Sequence, residues 1–194
     1  IIDSTFFIGD VTADSINCES ARVSLPHGGL LSLSGVFPID KADSLLLNPG
    51  LRIDFVVVKF PLRLIADIFP ENMIKKGVAH GKGTIGIGHG RPLFNGYLNV
   101  DTMVIAPEGI LPEIGPLSIA IDLRNDSVLV QKCNGKWGRG RINGNGHLVW
   151  DYNGLENCVL NFKGNNTDVE VIDILEADIP EFNLSFLKQN QRFL

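Results

Sequence analysis

Long hydrophobic runs and clustered basic charge are both scarce in this chain of 194 residues. No apolar run approaches the ~20 residues that a membrane-spanning helix needs, so no such helix is predicted. The 17 Lys and Arg residues are outnumbered by 22 Asp and Glu residues, and they form no stripe. Because nucleic-acid binding depends on clustered cations that neutralise phosphates, no nucleic-acid partner is predicted.

Cysteine and histidine are also few, and neither shows the spacing of metal ligands. Cys18, Cys133 and Cys158 lie far apart and lack the C-x-x-C spacing of zinc sites. Cys133 and Cys158 could face one another on adjacent strands, but an odd count leaves one thiol over. Buried free thiols are therefore the favoured interpretation, and the disulfide state stays open. No metal site and no cofactor are predicted.

Catalytic signatures are absent. Gly81–Gly86 fits G-x-G-x-x-G, but the glycine- and proline-containing sequence after it cannot form the helix that would bind a pyrophosphate. There is no G-x-S-x-G motif, and the carboxylates are scattered. No enzymatic activity is predicted. A carbohydrate-active enzyme is a rival interpretation, for which Tyr97, Trp137, Trp150 and Tyr152 would supply a stacking platform.

What the sequence has in abundance is period-two alternation of apolar and polar residues. Leu117–Arg124 places an apolar residue at every odd position. Successive side chains of a strand point to opposite faces, so each such segment predicts a strand with one apolar face. Turn signals such as Asn125-Asp126 follow at spacings too short for a crossover helix. The pattern therefore predicts an all-β fold of antiparallel hairpins.

Three features qualify this organisation. Residues 1–60 and 76–172 are predicted as strands, whereas 61–69 are predicted as one short helix because Pro61 can occupy a first turn and Pro70 ends the run. Residues 173–194 have mixed periodicity and are left unassigned. The chain opens at Ile1 without an initiator methionine or a signal segment, so we expect one segment of a longer protein.

Strand and glycine motifs follow one another in a fixed order through Met73–Phe162. Gly77–Ile85 leads into Arg91–Val100, which contains P-x-x-x-G-x-L-x-V; a proline-rich turn at Ile110–Pro112 and the glycine-rich Gly135–Gly140 come later. This order resembles the repetitive β region of TamB, the translocation and assembly module protein, and of its AsmA-like relatives. Glycines that flank apolar strand residues are also typical of a strongly curved sheet.

The resemblance implies a fold, a location and a role. The fold would be an elongated curved antiparallel sheet that forms an open apolar trough, a β-taco. The full-length protein would be anchored in the inner membrane and extend through the periplasm. Its hydrophobic groove would shield phospholipid acyl chains during lipid transport and outer-membrane biogenesis. Its partner would be an outer-membrane β-barrel of the TamA or BamA type.

The groove would be lined by the apolar residues of the alternating strands. These are Leu31, Leu33, Ile53, Phe55, Val57, Ile85, Ile87, Leu98, Val100, Leu117, Ile119, Ile121, Leu123, Val128, Val130, Ile142, Leu148, Leu160 and Phe162. The same positions would form the core of an ordinary β-sandwich, because alternation fits both arrangements. The alternative function is accordingly a structural or adhesive sandwich or solenoid module of a surface protein.

Overall fold

Twelve β-strands make up most of the chain in the computed structural model, which describes residues 2–39, 50–68, 73–88, 91–106, 110–151, 154–171 and 175–189. The strands are β1 (Ser4–Val11), β2 (Ser15–Leu25), β3 (Gly29–Pro38), β4 (Arg52–Pro61), β5 (Ile74–Gly88), β6 (Arg91–Ile105), β7 (Ile110–Leu111), β8 (Ile114–Asn125), β9 (Ser127–Trp137), β10 (Gly140–Asp151), β11 (Gly154–Val171) and β12 (Leu175–Gln189).

All twelve strands belong to one open antiparallel sheet. Its order is β1-β2-β3-β4-β5-β6-β8-β9-β10-β11-β12, and the short β7 pairs with β11. Neighbours in the sheet are thus almost always neighbours in sequence, as short reversals between strands require. The prediction of an all-β fold built from antiparallel hairpins is confirmed.

The short helix predicted over residues 61–69 is present as a 3-10 helix, but the prediction is wrong in its first residue. The segment Leu62–Ile68 is a 3-10 helix, here called the 3-10 segment, and Pro61 ends β4 opposite Val78 of β5. A proline has no N–H to donate, so it suits the end of a strand as well as the first turn of a helix. Phe69 and Pro70, which carried part of the prediction, lie outside the described residues.

The unassigned C-terminal region contains a long strand. β12 pairs with β11 from Val171↔Leu175 to Asn157↔Gln189. Its sequence mixes acidic, apolar and proline residues, so the period-two pattern is too irregular to predict a strand. The long partner strand supplies a hydrogen-bonding edge for β12, which local sequence does not reveal.

Two irregularities keep the apolar residues on one side of the sheet. The register shifts between Val57 and Phe60 on β4 and between Val100 and Met103 on β6. Within these steps Lys59 has φ 46° and Thr102 has φ 54°. Each extra residue forms a bulge that bends the strand and restores the orientation of the following side chains. Phe60 and Met103 therefore face the same side as the apolar residues before them.

The buried core lies at one end of this side, beneath the 3-10 segment. Leu62 and Ala66 of that segment pack with buried residues of β5, β6, β8 and β10, which are Ile74, Ala79, Val100, Met103, Leu117 and Ile142. The 3-10 segment thus covers only one end of the sheet, because it spans seven residues against strands of up to eighteen.

Candidate functional site

The pairing register brings the predicted groove residues to one face of the sheet. Directly paired residues on adjacent strands point to the same side. One continuous row crosses nine strands: Val23, Leu31, Val57, Gly81, Leu98, Ile121, Val130, Gly146 and Leu160. No residue of this row has a polar side chain.

A second row runs beside the first across the same nine strands. It consists of Ala21, Leu33, Phe55, Gly83, Gly96, Leu123, Val128, Leu148 and Cys158. The remaining predicted residues lie on the same strands, an even number of positions from the residues of the two rows, and therefore point to the same side. They are Ile53, Ile85, Ile87, Val100, Leu117, Ile119, Ile142 and Phe162. All nineteen predicted positions therefore share one side, which we call the apolar face.

The two faces differ in exposure. Along the first half of β6, residues at odd positions from 91 to 99 are exposed, whereas those at even positions are half-buried and Val100 is buried. On the opposite face Tyr97 is 42% exposed, while its neighbour Leu98 is shielded. On β6, therefore, the apolar face is shielded more than the opposite face, in keeping with curvature of the sheet toward the apolar face.

The contact between Phe94 and Trp150 shows the direction of that curvature. Phe94 lies on β6 and Trp150 on β10, three strand positions away, yet their ring centroids are 5.6 Å apart in an edge-to-face contact. In a flat sheet, three steps of ~4.8 Å would separate the backbones of the two strands by about 14 Å. Both rings lie on the apolar face, so the sheet curls toward that face. Arg91 and Asp126 form an ion pair of 3.8 Å at the same end.

Glycines permit close packing of strands within the apolar face. Gly83 and Gly96 are direct partners on β5 and β6 in the second row. A Cβ on Gly96 would overlap the carbonyl oxygen of Lys82, and a Cβ on Gly83 would come within 3.0 Å of the Phe55 ring. Gly96 has φ 134°, a conformation that side chains disfavour. The glycine-rich stretch thus lies where the backbone leaves no room for a side chain.

The opposite face carries ion pairs and polar side chains. Asp122 of β8 accepts one hydrogen bond from Arg124 of the same strand at 2.6 Å and another from Gln131 of β9. Arg52 and Asp54 approach to 3.5 Å on β4. Exposed pairs of this kind add little stability, about 0–1 kcal/mol each, but they keep this face hydrated.

Within the described ranges, the other residues considered from the sequence do not assemble into a site. Among the residues that the structure describes, no three His, Cys, Asp or Glu side chains gather as metal ligands. Gly81–Gly86 lies within β5, and His80 accepts a hydrogen bond from the Lys59 backbone N–H at 3.2 Å. Of the proposed aromatic platform, Trp137 packs on the core and Tyr97 is on the opposite face. Tyr152 lies outside the described residues.

The three cysteines are free thiols. Cys133 and Cys158 are not on adjacent strands, since β9 and β11 are separated by β10. Burial raises the pKa of the Cys133 thiol above its usual value. Sequence separation could not predict the placement of Cys133 and Cys158, because the order of strands in the sheet decides which strands are neighbours.

We expect Cys133 to react slowly with iodoacetamide in the folded protein at pH 8, because burial and a raised thiol pKa both reduce reactive thiolate. A raised folded-state pKa means that the folded protein favours the protonated thiol. The stability that this preference contributes is fully present below the unfolded-state pKa and is lost as the pH rises through the folded-state pKa. Peptide mapping after alkylation measures the rate, with the half-buried Cys158 as the reference. Equal rates for the two thiols would contradict the expectation.

Comparisons with known proteins give no further guide to the chain. It matches no protein-family model, no curated protein and no solved structure. Within the described part of the chain, none of the helical segments has the length and apolar character needed to cross a membrane.

Proposed function

We propose that the apolar face binds lipid acyl chains and shields them from water, within a protein of the TamB and AsmA-like kind that takes part in phospholipid transport and outer-membrane biogenesis. The proposal is supported chiefly by one observation. Two adjacent rows without polar side chains, apart from one thiol, continue across nine strands of a sheet that curls toward them. No chemical step is required of such a face.

The energetics of lipid transfer explain why a long apolar surface is suitable. Each methylene exposed to water costs ~0.8 kcal/mol, so two tails of about 15 carbons cost on the order of 24 kcal/mol. A continuous apolar surface removes most of that cost at every position along its length. The nine strands of the two rows would extend for about 40 Å at ~4.8 Å per strand step.

The proposal includes a cellular setting. The protein would extend through the periplasm from an inner-membrane anchor outside this segment, and an outer-membrane β-barrel of the TamA or BamA type would be its partner. The sequence order of strand and glycine motifs supports this setting. An open sheet whose edge strands can pair with further strands is compatible with a segment of a longer assembly.

A second candidate function is that of a structural or adhesive module. It is favoured by the core beneath the 3-10 segment, where Leu62, Ala66 and Leu117 are closely packed and each is at most 6% exposed. If this packing continued along the whole apolar face, no lipid could enter. The half-buried state of Leu98, Ile121 and most other row residues instead favours lipid binding.

Photo-crosslinking on β8 tests the proposal. A photoreactive residue is placed in turn at Ser118, Ile119, Ala120, Ile121 and Asp122 of the full-length protein in living cells, and covalently attached phospholipid is measured. We expect adducts at Ile119 and Ile121, which belong to the apolar face, because an acyl chain on that face lies within reach of both.

The other three positions are the matched controls, because they lie on the same strand and point to the opposite face. Folding of each variant is checked by its protease resistance. Adducts at all five positions would indicate nonspecific membrane contact. Folded protein without adducts at any position would favour the structural module.

A further inference from the structure

A cleft of about 600 Å³ lies at the end of the sheet where β4 begins, β5 ends and β6 begins. This volume is within the range of ~300–1,000 Å³ typical of small-molecule sites. Buried Leu51 and Ile87 and the Phe94 ring form its apolar wall. Phe94 is also the ring that contacts Trp150, so the cleft adjoins the curled end of the apolar face.

The polar side of the cleft is provided by the opposite face. Arg52, Thr84 and Asn95 line it and belong to the opposite face. Ile87 and Phe94 belong to the apolar face. The cleft therefore passes over the strand ends and connects the two sides of the sheet, with polar groups on one side and apolar groups on the other.

The cleft has one cationic group among its described lining residues. Of the described residues that line it, Arg52 alone is charged. The Asp54 carboxylate lies 3.5 Å from the Nε atom of Arg52, and it accepts a hydrogen bond from the Thr84 hydroxyl. A guanidinium has five N–H donors, more than one carboxylate can use, so Arg52 can also bind a phosphate or carboxylate.

We propose that this cleft binds the anionic head group of an amphiphile whose hydrocarbon chain continues past Phe94 onto the apolar face. This inference rests on the proposed function and adds a head-group site to it. The two-sided lining fits a ligand with both parts, because a small anion would use the N–H donors of Arg52 but not the apolar wall, and a neutral hydrocarbon would use the apolar wall but not those donors.

Calorimetric titration of the purified protein tests the inference with three probes, each used below any micelle-forming concentration: dodecyl phosphate, dodecyl maltoside and inorganic phosphate. We expect dodecyl phosphate to bind about tenfold more tightly than dodecyl maltoside, because only the phosphate carries a charge opposite to that of the guanidinium. Inorganic phosphate should bind far more weakly than dodecyl phosphate, since it lacks the chain.

The variant Arg52→Gln should abolish the preference for dodecyl phosphate and leave maltoside binding unchanged. Arg52 has a side chain 69% exposed, so the substitution is compatible with folding. Arg22→Gln is the matched control, because Arg22 is an exposed arginine of the opposite face on β2 and does not line the cleft. Leu93→Trp, at the cleft wall, should weaken binding of both amphiphiles.

An unchanged preference in Arg52→Gln, or the same loss in Arg22→Gln, overturns the head-group site. Inorganic phosphate that binds as tightly as dodecyl phosphate overturns the amphiphile as ligand. Equal binding of both amphiphiles by the wild-type protein, together with lipid adducts at Ile119 and Ile121, overturns this inference and leaves the proposed function standing. Absence of adducts and of amphiphile binding overturns both.

Discussion

Replacing Gly96 with alanine is expected to lower the free energy of unfolding by at least about 3 kcal/mol, because two costs combine at this position. Gly96 has φ 134°, which an alanine adopts only with strain. A Cβ there would also overlap the Lys82 carbonyl oxygen and meet the Cα of Gly83 at 2.5 Å. Both obstacles are backbone atoms of the neighbouring strand, so relief requires β5 and β6 to separate.

Urea unfolding followed by far-ultraviolet circular dichroism measures this loss, and Gly28→Ala is the matched control. Gly28 also has a positive φ, 78°, but nothing lies within 4 Å of the position its Cβ would take. Only the conformational cost of about 1–2 kcal/mol then applies. Similar losses in the two variants would mean that strand spacing at Gly96 places no demand on the fold.

Replacing Leu117 with alanine is expected to cost about 3 kcal/mol, within the ~2–5 kcal/mol typical of buried leucines. Leu117 is 3% exposed and belongs to the core beneath the 3-10 segment. The lost methyl groups leave a cavity that strands on several sides prevent from collapsing. Chemical denaturation measures the change, and Leu93→Ala is the control because Leu93 is 41% exposed and should cost less than about 1 kcal/mol.

The same measurement on Ile121→Ala distinguishes the two candidate functions. Ile121 has the same facing as Leu117 on β8, but it is half-buried and lies in the first row, away from the 3-10 segment. A face open to lipid predicts a loss of about 1 kcal/mol at Ile121. A loss as large as that of Leu117 would indicate a closed core throughout and would contradict the proposed function.

Much of the fold was predictable because it follows from local patterns. Alternation in segments such as Leu117–Arg124 indicates a strand and its apolar side without knowledge of any partner. Turn chemistry such as Asn125-Asp126 then specifies antiparallel neighbours. The common facing of the predicted groove residues depends on these two facts. The bulges at Lys59 and Thr102 then extend the apolar side to Phe60 and Met103.

Other features could not be predicted from local sequence. The segment Leu62–Ile68 is a 3-10 helix, and the strand Leu175–Gln189 depends on the edge of β11. Separation of Cys133 from Cys158 by β10 is a matter of strand order. The cleft at Arg52 was missed because its polar and apolar residues come from distant segments and from both faces of the sheet.

The sequence by itself determined that this chain forms antiparallel strands with one apolar side, because side-chain direction along a strand is a property of the backbone that each residue pair repeats. Only the tertiary structure decided how far that side is enclosed. The curl that brings Phe94 to Trp150, and the covering of one end by Leu62 and Ala66, result from twist, bulges and contacts summed over many strands. Such sums depend on partners far apart in sequence, which no local pattern encodes.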